Sequence, residues 1–206
     1  IGKNLKLRKN YIMYGSVKGV ITYEKYLNKL SELGLKAFLI GYETFSDDEL
    51  SAYHKKSSTD DNFKASEILR KHKIDVWASF MAHPDWDKNN FKSLRKYIKK
   101  LKPQITTISP LTPFPNLPMY KEYEGRLLYA KEDFEKWSFG QVMIRPSKIS
   151  LKTYYYELLK TNLYVNIFIN KNTEMIKKFG FLNILRILKG SLKAVKKYIL
   201  LMKYSS

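Results

Sequence analysis

The sequence contains no cysteine. Disulfides, thiolate nucleophiles, zinc–thiolate sites and cysteine-held iron–sulfur clusters therefore cannot be built from these 206 residues. Histidine is scarce too: His54, His72 and His83 lie far apart and show no metal-ligand spacing. A mononuclear metal site made by this chain alone is not expected. No apolar run reaches the ~18 residues of a membrane-crossing helix, and the N-terminus lacks the order of a signal peptide. The expected compartment is the cytoplasm. The sequence opens on Ile1 rather than Met, as a processed product or a portion of a longer protein would.

Acids are also few: 19 Asp and Glu face 38 Lys and Arg, a net charge of +19. A polyanionic partner is one reading of that imbalance. The lysines are scattered along the chain, so a solvated surface is the plainer one. What is abundant is apolar: 44% hydrophobic and 15% aromatic residues exclude disorder as the main state. The length suits one good core and an appended element.

Periodicity then orders the chain. "NYIMYGSVKGVI" (10–21) supplies an early strand. "TYEKYLNKLSELG" (22–34) places Tyr23, Tyr26, Leu27, Leu30 and Leu33 on one helical face, with Thr22 as a cap and Gly34 at the left-handed position after its end. "LKAFLIG" (35–41) is a short apolar run without alternation, as in a strand covered on both faces. "SDDE" (46–49) is a capping box of Ser46 with Glu49. A helix follows Thr59 with Phe63, Ala65, Ile68 and Leu69 inward, and "IDVWASFMA" (74–82) is another buried strand. After "HPDW", Asp87 can cap a helix striped by Phe91, Leu94, Ile98 and Leu101; Pro103 stops it and "QITTISPL" (104–111) is the next strand.

This β-α-β-α-β-α-β order predicts a parallel sheet, either an open doubly wound sheet or part of a barrel. In both, ligands meet the C-terminal ends of the strands. Those ends are Gly15–Ser16, Gly41–Glu43, Met81–Asp85 and Ser109–Pro113. Helix capping accounts for the acids of Ser46–Glu49 and leaves Glu43 over, as a site carboxylate or as an ordinary loop residue. His83 beside Asp85 is a candidate proton-transfer pair, against the plainer reading that "HPDW" only ends a strand. Lys56 reads as a surface charge. Pro110, Pro113, Pro115 and Pro118 stiffen a loop, or form a pocket lid that presents Phe114 to substrate.

From about Arg126 the alternation is lost. "SLKTYYYELLKTNLYVNIF" (150–168) predicts a helix capped by Ser150. Lys171–Ser206 holds nine Lys or Arg and one acid, Glu174. Phe181, Leu185, Leu188, Leu192, Val195, Ile199 and Met202 recur at helical spacing with the cations largely off that face, and Gly190 is a candidate break. Such a basic amphipathic helix can pack on the barrel, lie on an anionic membrane surface or bind nucleic acid. The tail lacks aromatic interleaving and a recognition motif, so nucleic acid is the least expected of the three.

"FLIGYETFSDDEL" resembles the fifth-strand motif of radical S-adenosylmethionine (radical SAM) enzymes, where a Gly-x-Glu stretch precedes an acidic helix start and a leucine. "KKSSTDDNFKASEILRKHKIDVWASFMAHPDW" is similar to that family's continuation, and "LTPFPNLPMY" resembles its "TPxPGTxLY" segment. Together the matches cover roughly residues 10 to 125, and the nearest likeness is to the cobalamin-dependent, hopanoid methylase-like class. The resemblance implies an incomplete parallel (β/α) barrel, the C-terminal part of a partial TIM barrel over residues 1–125, with a mostly helical extension over 126–206. It implies S-adenosylmethionine and a [4Fe–4S] cluster as cofactors, and cobalamin for the nearest class. Gly41, Glu43 and Ser16 would lie on the S-adenosylmethionine side, and Pro113 and Phe114 on the substrate side. The substrate would be a small molecule or a lipid, with membrane-surface contact through 171–203 as an accompanying expectation.

Three departures accompany it. Ser16 falls near a position where the family often carries an arginine. Asn116 and Leu117 replace Gly-Thr. The CxxxCxxC loop is absent, which implies that the cluster ligands, and a missing N-terminal region of the same protein, lie outside this chain; alone it should be inactive in radical chemistry.

Overall fold

A computed structural model describes residues 9–170 and 180–204 of the chain. Its first strand, β1 (Tyr11–Gly15), is shorter than the sequence suggests, because Ser16 leaves the strand and caps α1 (Val17–Thr22), accepting from the Gly19 N–H at 3.0 Å. The helix expected over 22–34 is thereby divided. Thr22 ends α1 instead of capping its successor, a single 3₁₀ turn covers Glu24–Tyr26, and α2 is Leu27–Glu32. Of the expected apolar face only Leu27 is fully buried, while Tyr23, Tyr26 and Leu33 stay exposed.

Gly34 does take a positive φ, +109°, and its N–H closes onto the Ser31 carbonyl, turning the chain into β2 (Leu35–Glu43). Next come α3 (Asp47–Ala52), α4 (Thr59–Lys71), β3 (Asp75–Ala82), α5 (Lys88–Leu101) and β4 (Ile105–Pro110). The cap of α4 is Ser58, not Thr59: Ser58 and Asp61 exchange side-chain-to-backbone bonds as a capping box. Asp47 of α3 accepts from both the backbone and the hydroxyl of Thr59, tying the two helix starts together. The Asp87 carboxylate accepts from the Asn89 and Asn90 N–H groups at the start of α5.

The strands stand in the order β1-β2-β3-β4 in one parallel sheet, with β2 paired to β1 and β3 and one register shift in each pairing. A doubly wound sheet would reverse its order at a switch point; this one does not, which is how a (β/α) barrel wall is laid down. Beyond β4 follow α6 (Met119–Tyr123), α7 (Leu151–Tyr164) with a wide turn over Val165–Ile169, and α8 (Phe181–Lys203). Helix α8 runs straight through Gly190, so that residue is not a break. A mid-helix glycine costs only about 1 kcal/mol.

The chain divides into two compact units, with boundaries at Phe80/Met81, Arg95/Lys96, Thr107/Ile108 and Tyr164/Val165. The core of the first is set by Leu35, Ala37, Ile40, Leu69, Ala78 and Phe80, none more than 1% exposed apart from flanking positions such as Val76. Two of its buried polar contacts tie helices to the sheet and to each other: the Tyr42 hydroxyl meets Ser66 Oγ at 2.6 Å, and Asn62 Nδ2 donates to the Tyr97 hydroxyl at 3.0 Å. Burial pushes the Tyr97 phenol up to about 12 and that of Tyr42 higher still, so both remain protonated at neutral pH. The core of the second unit is aromatic, with Trp86 and Tyr154 both packed edge-on against Phe91.

Candidate functional site

In the first unit the residues that matter gather at the C-terminal end of β2. The pairing of β2 with β3 slips between Gly41 and Glu43, so Gly41 faces Ser79 and Glu43 faces Phe80. That irregularity throws Glu43 into the left-handed region, at φ 61°. Three other described non-glycine residues share a positive φ: His54, Lys73 and Lys102. Each of those follows a helix end, where a left-handed residue is ordinary. Glu43 stands apart, because it is the last residue of a strand.

The turn folds the Glu43 side chain back over Gly41. A methyl group at Gly41 would lie 2.3 Å from Glu43 Oε1, so glycine is required there for the carboxylate to hold this position. Lys55, between α3 and α4, anchors it with a 2.7 Å ion pair; the Glu43 side chain is 13% exposed and that of Lys55 41%. Sequence reasoning named Lys56, which is merely exposed, and missed Lys55. Beside this, at the end of neighbouring β1, Ser16 is exposed with its oxygen engaged in the α1 cap. Gly15, Ser16 and Phe38 help line a largely apolar hollow of about 210 Å³ over α1 and α2.

In the second unit His83 and Asp85 are brought together, but in a bonding pattern that leaves Asp85 heavily committed. Arg126 grips its carboxylate with both terminal nitrogens, at 2.5 and 3.3 Å, and Ser147 donates at 2.6 Å. The Arg126 guanidinium, first, holds the Asp85 carboxyl below the usual carboxylate range. His83 Nδ1 accepts from the Asp85 N–H at 3.1 Å, so in the neutral ring the proton sits on Nε2, facing the Tyr123 hydroxyl at 3.1 Å. Arg126 also donates to the Arg145 carbonyl, and residues 126–128 pair with 143–145. The cluster clamps the segment after β4 onto the end of β3. Tyr123, Arg126 and Ser147 carried no sequence signal, because Tyr123 meets His83, and Arg126 and Ser147 meet Asp85, only across 40 or more positions of sequence.

At the end of β4, Pro113 is buried and Phe114 half-buried. The turn closes from the Leu117 N–H to the Phe114 carbonyl at 2.9 Å, with Asn116 at no positive φ, so the departure from Gly-Thr is accommodated. Phe114 meets the rings of Phe139 at 5.3 Å and Trp137 at 6.3 Å, and Trp137 also meets Tyr120. Phe139 is two-thirds exposed, so this ring cluster opens to solvent on one side.

No family model matches the chain. Over 157 residues it is 31% identical to the hopanoid C-3 methylase of Methylococcus capsulatus, covering 75% of this chain and 29% of that protein. The chain is a relative of the radical SAM methylases. A bacteriochlorophyllide d C-8(2)-methyltransferase of Chlorobaculum tepidum is 27% identical over 145 residues, covering 69% of this chain and 32% of that protein. This radical SAM relative thus spans under a third of the length of those two curated proteins. Among solved structures, the archaeal Elp3 of Methanocaldococcus infernus superposes with a TM-score of 0.57 at 16% identity, over 76% of this chain and 33% of that one. That likeness is one of fold, and the fold is that of a radical SAM partial barrel.

Proposed function

We propose that this chain is one part of a radical SAM methyltransferase and lines the S-adenosylmethionine and substrate site of that larger protein. The observation that carries the reading is Glu43: a carboxylate at a strand's C-terminal end, held in a left-handed conformation over a glycine and neutralised by Lys55. Strain of that kind persists where the surroundings enforce it, and it concentrates at ligand sites.

The residues fit the two expected groups unequally. The chain has no cysteine, and among the described residues no group of three His, Asp or Glu is placed to hold a metal ion. It therefore does not fit a [4Fe–4S] cluster as a ligand set, and those ligands are assigned to residues outside this sequence. S-adenosylmethionine fits better. It presents an ammonium, a sulfonium and ribose hydroxyls, all partners for a carboxylate such as Glu43, with Ser16 offering a hydroxyl at the adjacent strand end. When bound, S-adenosylmethionine supplies the transferable methyl group and the 5′-deoxyadenosyl group. Cobalamin is proposed for the whole protein on the resemblance alone and is given no residue here.

On the substrate side, Pro113 and Phe114 lie beside the aromatic rings of Trp137 and Phe139. The two curated relatives are named for a hopanoid and a bacteriochlorophyllide, both large apolar ring systems. A bulky apolar small molecule or lipid suits this wall. Residues 1–125 would supply the barrel part and 126–206 the helical extension. His83 and Asp85 are assigned to holding the segment 123–147 in place.

Equilibrium binding of S-adenosylmethionine to the anaerobically reconstituted gene product that contains this chain tests the reading. Gly41→Ala forces the Glu43 carboxylate away and should weaken binding by about tenfold, the worth of one charge-assisted hydrogen bond. Undiminished affinity would remove Glu43 from the site.

A further inference from the structure

We propose that α8 seats on an anionic lipid surface through the face it leaves unburied, independently of the cofactor reading above. The helix is held to its unit by one side. Tyr198 is 8% exposed and its ring lies 5.7 Å from that of Tyr155 on α7, with Val195, Leu201 and Met202 half-buried alongside. At 100° per residue, Leu185, Leu192 and Ile199 fall on a line about 100–140° round from Tyr198. They are 42%, 62% and 52% exposed, and Leu182 and Leu200 beyond them are 73% and 55% exposed. The apolar surface of the helix is thus wider than what its dock covers. An apolar stripe of this kind on a protein surface marks a contact site.

The charges identify the occupant. Each residue of the line is followed one turn later by a lysine: Lys189 after Leu185, Lys196 after Leu192, Lys203 after Ile199. Arg186, Lys193 and Lys197 complete six cations, and the helix carries no carboxylate. Apolar residues edged by lysines whose stems reach outward match a helix lying in the headgroup plane. No described helix is long and apolar enough to cross a bilayer, so the contact would be peripheral. A second copy would bring an identical cationic face and be repelled. A nucleic acid would satisfy the lysines but leave the leucines exposed, and the lipid surface satisfies both. The contact expected through 171–203 falls partly on residues 171–179, which lie outside those described, so the proposal rests on α8 alone.

The absence of cysteine makes the test direct. In the full chain, Leu192→Cys and, on the far side of the helix, Gly190→Cys each give one site for an environment-sensitive fluorophore. With vesicles of phosphatidylcholine and phosphatidylglycerol, the probe at 192 should shift to the blue and brighten, and the probe at 190 should change little. Phosphatidylcholine alone should produce neither response, and rising salt should release the protein. The double variant Leu192→Asn, Ile199→Asn, checked for native helix content by circular dichroism, should bind at least about tenfold more weakly, since two buried side chains are lost. Three results would overturn the proposal: no shift at 192 on anionic vesicles, equal shifts at both positions, or a folded double variant that binds as well as the parent. A shift at 192 without vesicles, accompanied by a doubled mass, would assign the face to a second copy instead.

Discussion

At the scale of single residues, Glu43 balances two opposed terms. A non-glycine residue in the left-handed region costs roughly 1–2 kcal/mol, while a partly exposed ion pair such as Glu43–Lys55 returns about 0–1 kcal/mol. Glu43→Gly relieves the first and forfeits the second, so its unfolding free energy should stay within about 1 kcal/mol of the parent, read from urea midpoints at unchanged slope. A loss well above that would make Glu43 an architectural residue and not one held for a ligand. Asp85 predicts differently. Its folded carboxyl titrates below its unfolded value of about 3.9, so the Arg126 clamp stabilises fully above that pH and is lost as pH falls through the lower, folded value. The stability difference between the parent and Asp85→Asn should accordingly shrink on acidification below about pH 4 and be flat above about pH 5. The position of Glu43 was legible in the sequence because a buried run ends there and capping explains the acids after it. Lys55 was not, since one lysine among many bears no mark of the carboxylate twelve residues back.

At the scale of elements, local chemistry decided most boundaries. Strong signals held: the Phe91, Leu94, Ile98 and Leu101 stripe of α5 is buried throughout, and Ser150 accepts from the Thr153 N–H at the start of α7. Where two caps competed, the pattern misled, as with Ser58 against Thr59, because apolar periodicity does not distinguish neighbouring hydroxyls. Ser58→Ala removes a full capping box and should cost about 1 kcal/mol in thermal or urea unfolding. A pairing between α5 and α7 was beyond sequence reasoning. Arg95 donates to Glu157 at 3.0 Å and to Thr161 at 2.7 Å, with the Glu157 side chain only 4% exposed. Arg95→Met strands that carboxylate and should cost about 3 kcal/mol, the low end for a broken buried pair because Lys160 lies 3.7 Å away. Adding Glu157→Leu should recover most of the loss, which a double-mutant cycle would read.

At the scale of the whole molecule, the described strands form one parallel sheet in strict sequence order, the order of a (β/α) barrel wall. The alternation of elements made the sheet legible; the choice of barrel wall over doubly wound sheet required the observed order. The aromatic surface around Phe114 was only half legible, since Trp137 and Phe139 lie in a stretch without periodicity. The account's central claim is that this chain supplies part of an S-adenosylmethionine site, with Glu43 in its wall. The most direct measurement is the release of 5′-deoxyadenosine from S-adenosylmethionine by the reconstituted gene product that contains the chain, compared with its Glu43→Gln variant across S-adenosylmethionine concentrations. The account predicts release by the parent and a KM for S-adenosylmethionine raised about tenfold in the variant. No release by the parent, or the same KM in both, would contradict it.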